Sequence, residues 1–359
     1  MKIKYWDETD LPVKVISKYR DLKVGIFENC TIEGHNVYYP QPLIRTGNEL
    51  LLPTIERFMS LGRGTVYEDN MEWNCKDKKV KNVVREPVFY FVYNCANYFH
   101  WIYDTVPYLH SYFIERERIP DLKILMSPTQ GEKDLYPFVY ETLELLGIYK
   151  KDILFLNEET EYKTMIIGSS LTHNRMSLEP PHPGLFSIVN SMEGSDSSLD
   201  KIYVSRRTWT QKESSNIGTD YTKQRMCMNE DELVNYLVSK GYKEIFCENY
   251  SMKEKIGIFR NAKSVVGPCG GGMCNIIFCS SDTKVLSINS PEFYPTNERL
   301  KNAMNHTKIR MFDHTKFHKP IEGQIVDRNA LSISGGLNSP WLIDMDRFID
   351  TFESSSEYI

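Results

Sequence analysis

The chain has 359 residues and a mass of 41.9 kDa, above the size at which one hydrophobic core usually stops growing, so we expect two domains. Hydrophobic residues make up 41% and charged residues 25% of the sequence, which excludes disordered, collagen-like and small disulfide-stapled proteins. Lys and Arg number 43 against 48 Asp and Glu, a formal net charge of -5. Without a basic stripe, this balance argues against a nucleic-acid-binding protein.

The N-terminal segment does not resemble a secretory signal. Charged residues recur every few positions in residues 1–21, whereas a signal peptide needs an uninterrupted apolar stretch. No run of 18 apolar residues occurs in the sequence, so we expect no membrane span. The eight cysteines are scattered, and free thiols are expected. The working expectation is a cytoplasmic protein.

The first half of the chain is predicted to change character at residue 87. Residues 1–85 suggest an irregular lead-in with a few short strands, and strands then alternate with helices. The predicted elements are a strand at 88–93, a helix from about 98 to 116, a strand at 122–126, a helix around 139–146, and strands at 153–156 and 165–167.

A second run of alternating elements follows a polar linker, for which residues 193–198 are the best candidate. The predicted elements are a strand at 201–205, a helix at 229–240, a strand at 244–247, a helix starting with a capping box at 251–254, a strand at 264–266, a further helix and a strand at 285–288. Such alternation predicts an α/β fold with parallel sheets. Two runs on either side of a linker predict two Rossmann-like lobes facing a cleft.

The most informative segment is the glycine-rich stretch Gly267–Asn275, which follows a predicted strand and opens a predicted helix. Glycines let the backbone approach a ligand, and free amides at a helix start attract negative charge. Doubly wound folds hold phosphates at this edge of the sheet. The spacing is neither GxGxxG nor a P-loop. A tight turn without a ligand remains an equal alternative on the glycines alone.

Two arginines, Arg206 and Arg207, follow a predicted strand, and Arg225 lies further along the chain. Ligands bind at strand ends in such sheets, and the guanidinium fork matches phosphate oxygens. These arginines are therefore candidates for a phosphate site. A pair of solvated surface charges is the alternative, and a single pair favours it.

A second candidate site is the pair His100 and Asp104, which share one face of a predicted helix because they are four residues apart. A histidine beside a carboxylate can accept a proton from a hydroxyl group. A structural hydrogen bond in an aromatic core is the alternative, and the pair alone favours it slightly.

Metal sites are weakly indicated. The cysteines at 269, 274 and 279 lack the CxxC pairs of a zinc site, and buried thiols explain them better. Asp344 and Asp346 imitate an acidic metal-binding triplet but belong to an ordinary amphipathic segment. We therefore predict no metal ligands.

Taken together, these segments resemble glycosyltransferase family 61. Phe99–Pro107 matches the family pattern Phe-His-Trp-x-x-Asp-x-x-Pro, and Gly267–Asn275 corresponds to Gly-x-His-Gly-Ala-Gly-Leu-x-Asn. The elements between them are matched by Ser205, Arg206, Arg225, Asn229, Glu230, Glu248 and Ser251. The resemblance spans about residues 87–290. It departs from the family at Cys269 and Ser287, where His and Glu are usual.

The resemblance implies a GT-B-like fold with the nucleotide sugar in the second lobe. It implies inverting transfer of a xylose-, N-acetylglucosamine- or arabinose-like sugar from a UDP-linked donor to a glycan or glycoprotein hydroxyl, with no cofactor and no bound metal. The expected division is an N-terminal lobe at 1–195, a nucleotide-sugar domain at 196–335 and a C-terminal segment at 336–359 that packs back on the first lobe.

On this hypothesis Asp104 is the general base, with His100 as its close competitor. The predicted donor-binding residues are Arg206, Arg225, Gly270, Gly271, Gly272, Asn275 and Glu248. A non-catalytic nucleotide-sugar or glycan-binding protein is the alternative, and the changes at Cys269 and Ser287 favour it. A dinucleotide-dependent oxidoreductase is a third possibility, which the missing GxGxxG pattern disfavours.

Overall fold

The fold was obtained as a computed structural model. The structure describes residues 3–5, 7, 9, 11–17, 22–36, 42–53, 73–75, 79–93, 95–128, 134–172, 181–207, 227–288, 310–313, 318–319 and 341–354. The chain divides into two compact units. The first contains Met1–Ala96 and His100–Ile188, and the second contains Asn97–Phe99 and Val189–Ile359. The sequence places this division slightly later, after residue 195.

The first unit is built on one β-sheet, in which eleven strands are described. They are β1 (Ile3–Tyr5), β2 (Val13–Ser17), β3 (Leu22–Asn36), β4 (Pro42–Thr46), β5 (Glu49–Leu52), β6 (Trp73–Cys75), β7 (Asn82–Val84), β8 (Val88–Tyr90), β9 (Lys123–Met126), β10 (Ile153–Phe155) and β11 (Thr160–Gly168). Their order along the main path is β1-β5-β4-β3-β11-β8-β9-β10, with β2 and β6 paired to β3 and β7 paired to β11.

This sheet is mixed, so the predicted parallel sheet is present only in part. Strands β8, β9 and β10 pair in parallel, and β11 runs parallel to β8. The long β3, in contrast, pairs antiparallel with β2, β4, β6 and β11. One cause is local: β4 and β5 are joined by residues 47–48 alone, with Gly47 at a φ of 54°. A two-residue turn permits only antiparallel neighbours.

After β8, residues 98–118 are helical without a break. They form α1 (Tyr98–His100), a π-helical turn (Trp101–Thr105), a 3-10 turn (Val106–Tyr108) and α2 (Leu109–Arg118). This stretch confirms the helix predicted from about 98 to 116. The other helices of this half are α3 (Pro137–Leu145) and α4 (Gly184–Ser191). The fully buried Trp101 fixes the stretch, because its Nε1 donates to Thr142 Oγ1 on α3 at 3.1 Å.

Pro107 explains why the helix widens at this point. Proline has no N–H, so the carbonyl of Tyr103, four residues earlier, loses its usual helical donor. The hydroxyl of Thr172 donates to this carbonyl at 2.7 Å. The N–H of Val106 bonds instead to the carbonyl of Trp101, five residues back. The result is a π turn, a feature found frequently at functional sites.

The second unit has a parallel sheet, as predicted. Its described strands are β12 (Lys201–Val204), β13 (Lys243–Ile245), β14 (Ser264–Pro268), β15 (Lys284–Ile288) and β16 (Arg310–Asp313), in the order β13-β12-β14-β15-β16. A separate antiparallel pair joins β17 (His318–Lys319) to β18 (Leu342–Ile343). The described helical elements are α5 (Glu230–Ser239), a 3-10 turn (Cys247–Asn249), α6 (Met252–Asn261), a 3-10 helix (Gly272–Phe278) and α7 (Met345–Ser354).

The sequence accounts for these elements closely. Every residue of β14 is buried, as expected for an apolar strand covered on both faces. Helix α6 starts at the predicted capping box, in which Ser251 Oγ accepts from the N–H of Glu254 and the Glu254 carboxylate accepts from the N–H of Ser251. The helix predicted after the glycine stretch is a 3-10 helix instead.

The C-terminal helix α7 packs on α5 within the second unit, whereas the sequence analysis expects this segment to pack back on the first lobe. Phe348 and Phe352 are buried one turn apart and belong to one core cluster with Leu233 and Leu237 of α5. Tyr236 of α5 meets both phenylalanine rings edge-on. The apolar stripe of α7 therefore covers the apolar face of α5.

The predicted linker is a packed segment rather than a free connection. The N–H of Ser195 donates to the carbonyl of Lys253 at 3.0 Å. A Cβ added at Gly257 of α6 would lie 1.9 Å from the carbonyl oxygen of Ser195, so only glycine permits this approach. Residues 193–198 thus belong to the second unit because α6 binds them through the backbone.

Candidate functional site

The carboxyl ends of β12 and β14 define the candidate site. From β12 the chain passes to β13 on one side, and β14 then lies on the other side of β12. The strand order thus reverses between β12 and β14, and open α/β sheets bind ligands at such a reversal. Ser205 and Arg206 follow β12, and Cys269 and Gly270 follow β14. Both predicted phosphate-binding segments therefore meet at this edge.

Arg206 lies directly against the glycine loop. A Cβ added at Gly270 would lie 2.0 Å from Arg206 Nη1, so the guanidinium occupies the space that any side chain at 270 would need. Burial lowers the pKa of the Arg206 guanidinium, and the nearby Glu230 carboxylate opposes that shift. The contact explains the need for glycine at position 270 and places a cation beside the loop backbone.

Glu230 holds the end of β12 in place. It is the first residue of α5 and is 1% exposed. Its Oε1 accepts from the hydroxyl of Tyr203 at 2.8 Å, the N–H of Arg206 at 2.9 Å and the hydroxyl of Ser205 at 3.3 Å. Burial raises the pKa of Glu230, and these donors oppose the rise. Glu230 therefore fixes the backbone from which the Arg206 side chain extends.

The two glycines after Gly270 differ in their surroundings. A Cβ at Gly272 would lie 2.7 Å from Val204 Cγ1, whereas a Cβ at Gly271 would meet nothing within 4 Å. Gly272 therefore packs on the end of β12, and Gly271 has open space beside its Cα. Backbone bonds from Met273 and Cys274 to the carbonyls of Gly270 and Gly271 start the 3-10 helix.

Asn275 is buried and bonds to the backbone of the glycine loop. It is fully buried, and its Oδ1 accepts from the Tyr98 hydroxyl at 2.5 Å. Its Nδ2 donates to the carbonyl of Gly272 at 2.9 Å and lies 3.7 Å from the sulfur of Cys247. Burial raises the pKa of the Cys247 thiol to about 12. The Asn275 amide thus bonds the Tyr98 hydroxyl and the Gly272 carbonyl, and its donor contact stays a prediction.

The remaining predicted residues are Glu248, Arg207 and Arg225, and their surroundings differ. Glu248 lies in a 3-10 turn after β13, and its charge is among those that raise the pKa of Arg206. Arg207 bonds to both carboxylate oxygens of Glu244, at 2.8 and 2.7 Å through Nη2, and pairs with Asp231. Arg207 is therefore held in ion pairs and is not the solvated surface charge of the alternative interpretation. Arg225 lies outside the described residues.

His100 and Asp104 form a hydrogen-bonded pair on the π-helical stretch of the first unit. His100 Nδ1 and Asp104 Oδ2 are 2.5 Å apart. The Asp104 side chain has no exposed surface, whereas 22% of the His100 side chain is exposed. The hydroxyl of Thr105 donates to the carbonyl of His100 at 3.1 Å and fixes the backbone there. Only the imidazole presents an accessible edge.

Two groups in the second unit were missed by the sequence analysis. Lys255 of α6 is 2% exposed, and its Nζ lies 4.3 Å from the ring centroid of Tyr98. Tyr98 itself reaches Asn275. One clue was available: Lys255 lies three residues after Met252 and four before Phe259, so it shares the apolar side of α6, an unusual place for a lysine.

Residues 98–286, more than half of the chain, match the family model described as Glycosyltransferase 61. The chain belongs to glycosyltransferase family 61. A comparison with curated proteins gives no match. The family match starts at Tyr98 and ends inside β15, so it includes the His100–Asp104 pair, Arg206 and the glycine loop. The predicted family is thus confirmed.

The described residues form neither a metal-binding cluster nor a membrane-spanning helix. Among the residues that the structure describes, no group of three or more His, Cys, Asp and Glu side chains could hold a metal ion. Within the same residues, no helix is long and apolar enough to cross a bilayer. The seven cysteines whose side chains are described are buried free thiols.

Proposed function

We propose that this glycosyltransferase moves a sugar from a UDP-linked donor to a glycan or glycoprotein hydroxyl, with inversion at the anomeric carbon and a GT-B arrangement of its two units. The observation that supports the donor site is the contact between Arg206 and Gly270, at the point where strand order reverses. A guanidinium beside glycine backbone is suited to a diphosphate.

The donor site would act mainly on the leaving group. When the bond between the sugar and the nucleotide breaks, negative charge grows on the diphosphate. Arg206 and the loop of Gly270–Gly272 would neutralise it without a resident metal, with Glu248 close enough to influence the Arg206 charge. A preorganised hydrogen-bond donor that faces the developing charge typically contributes about 10²–10³ in rate. Glu230 contributes by holding the Arg206 backbone.

We assign the base to His100 rather than Asp104, and burial is the reason. The acceptor hydroxyl would transfer its proton to Nε2 of His100 as its oxygen attacks the anomeric carbon from the face opposite the diphosphate. Asp104, with no exposed surface, accepts from Nδ1, fixes the tautomer and stabilises the imidazolium. A positioned base contributes about 10²–10⁴ in rate.

A donor-binding protein without catalysis is the competing function. It is favoured by the departures at Cys269 and Ser287. Ser287 is fully buried and pairs with Gly267 across β14 and β15, and Cys269 is 6% exposed. In these positions both residues contribute to packing. The hydrogen-bonded His100–Asp104 pair is suited to general-base catalysis, which a binding protein does not need, and it therefore favours transfer.

The test is a thermal-shift screen against a panel of nucleotide sugars, followed by product analysis with each donor that binds. We expect a UDP-linked sugar to raise the melting temperature and to be hydrolysed or transferred. Tight binding without turnover of any donor would support the binding protein instead. Absence of nucleotide binding across the panel would contradict both functions.

A further inference from the structure

Tyr98 is the starting point for a second role in the donor site. Its hydroxyl donates to Asn275 Oδ1 at 2.5 Å and lies 3.2 Å from the sulfur of Met252. Although Tyr98 opens the helical stretch that follows β8, residues 97–99 belong to the second unit. The ring also covers the buried Lys255 amine at 4.3 Å. A cation held over an aromatic face attracts the ring, so Tyr98 is held from two sides.

Asn275 transmits this contact to the glycine loop. Its Nδ2 donates to the carbonyl of Gly272, and its Oδ1 is held by the Tyr98 hydroxyl. A loop of three glycines has more conformational freedom than any other, so a bond that fixes one of its carbonyls has a large effect on its shape. The amide of Asn275 keeps its orientation because both ends are bonded.

We propose that Tyr98 is a positioning residue for the nucleotide donor, which acts through Asn275 on the carbonyl of Gly272. The inference rests on the proposed donor site. Loss of the Tyr98 hydroxyl would leave a buried amide oxygen without its donor, and such groups are costly. Asn275 would then reorient, and the loop beside Arg206 would lose its binding shape.

Tyr98→Phe tests this, with Tyr242→Phe as the matched control. The Tyr242 hydroxyl is bonded to Ser264 Oγ at 2.6 Å, at the first residue of β14, whereas the glycine loop follows its last residue. Each variant removes one hydroxyl hydrogen bond from the second unit, which is partly buried at Tyr98 and buried at Tyr242. The measurements are the melting temperature and the calorimetric dissociation constant for UDP. We expect both variants to lose stability, but only Tyr98→Phe to bind UDP about tenfold more weakly.

A double-mutant cycle adds a second criterion. Asn275→Ala should weaken UDP binding as well. Combining it with Tyr98→Phe should cause little further loss of affinity, because both changes break the same hydrogen-bonded connection to the Gly272 carbonyl. Full additivity of the two losses would overturn the inference. So would equal UDP affinity in Tyr98→Phe and the parent protein. A parent protein that binds no nucleotide would instead overturn the proposed function, and the inference with it.

Discussion

At the scale of single residues, the fit of Arg206 against Gly270 makes the sharpest prediction. Gly270→Ala puts a methyl group 2.0 Å from Arg206 Nη1, so the guanidinium must move. Gly271→Ala meets nothing within 4 Å and keeps its N–H. We expect Gly270→Ala to weaken UDP binding about tenfold, and Gly271→Ala to lose far less, by calorimetric titration. Equal losses would mean that the Arg206 contact is irrelevant to binding.

The His100–Asp104 pair predicts a pH-dependent transfer rate. His100→Gln should lower transfer about 10²–10⁴-fold at unchanged donor affinity, because the accessible base is lost. In the parent protein the rate should fall on acidification, because a protonated imidazole accepts no proton, and this limb should vanish from the residual activity of His100→Gln. A pH–rate profile with saturating donor is the measurement. Full activity of His100→Gln would return the role to Asp104.

Glu230 predicts a pH dependence of stability. Burial raises its pKa above the ordinary value of 4.5, so the folded protein keeps a proton that the unfolded chain releases. This contribution is complete below 4.5 and is lost as the pH rises through the folded pKa. In Glu230→Gln it is absent. The parent protein should therefore lose free energy of unfolding relative to Glu230→Gln as the pH rises above 4.5, as measured by urea denaturation. If the difference in free energy of unfolding between the two proteins did not change with pH, the burial argument would be contradicted.

At the scale of elements, the π turn couples a single hydroxyl to the candidate base. Thr172→Val removes the donor to the carbonyl of Tyr103, and Thr283→Val removes a similar buried bond to the carbonyl of Ala262 in the second unit. Each should cost about 1 kcal/mol of stability. Only Thr172→Val should also lower the transfer rate, because it alone supports the turn that contains Asp104. Identical activities in the two variants would show that the turn does not position the pair.

Sequence patterns predicted many of these elements because their causes are local. The capping box at Ser251 and the apolar run of β14 depend on neighbouring residues only, and both were correct. The π turn was not predicted although Pro107 lies beside it, because the hydroxyl that bonds to the Tyr103 carbonyl belongs to Thr172, which is distant in sequence. The burial of Asp104 and Asn275 was missed for the same reason. Residue type and spacing identified the candidates but not which atoms remain accessible.

At the scale of the whole molecule, each unit has its own hydrophobic core, and α7 belongs to the core of the second. The alternation of strands and helices was sufficient to predict two units and the parallel sheet of the second. The partner of α7 was not predictable, because an amphipathic pattern shows which face is apolar without showing what covers it. The mixed sheet of the first unit likewise depends on how β3 pairs with distant strands.

The account depends most on a nucleoside-diphosphate site at Arg206, and calorimetric titration with UDP tests it directly. Arg206→Ala should bind UDP about 10- to 100-fold more weakly than the parent protein, because a charge-assisted contact is worth about 1.5–3 kcal/mol. Arg207→Ala is the matched control: it removes the neighbouring arginine, whose guanidinium is bonded to Glu244 and Asp231, and should keep the parent affinity. Unchanged UDP affinity in Arg206→Ala, or an equal loss in both variants, would contradict the assigned site.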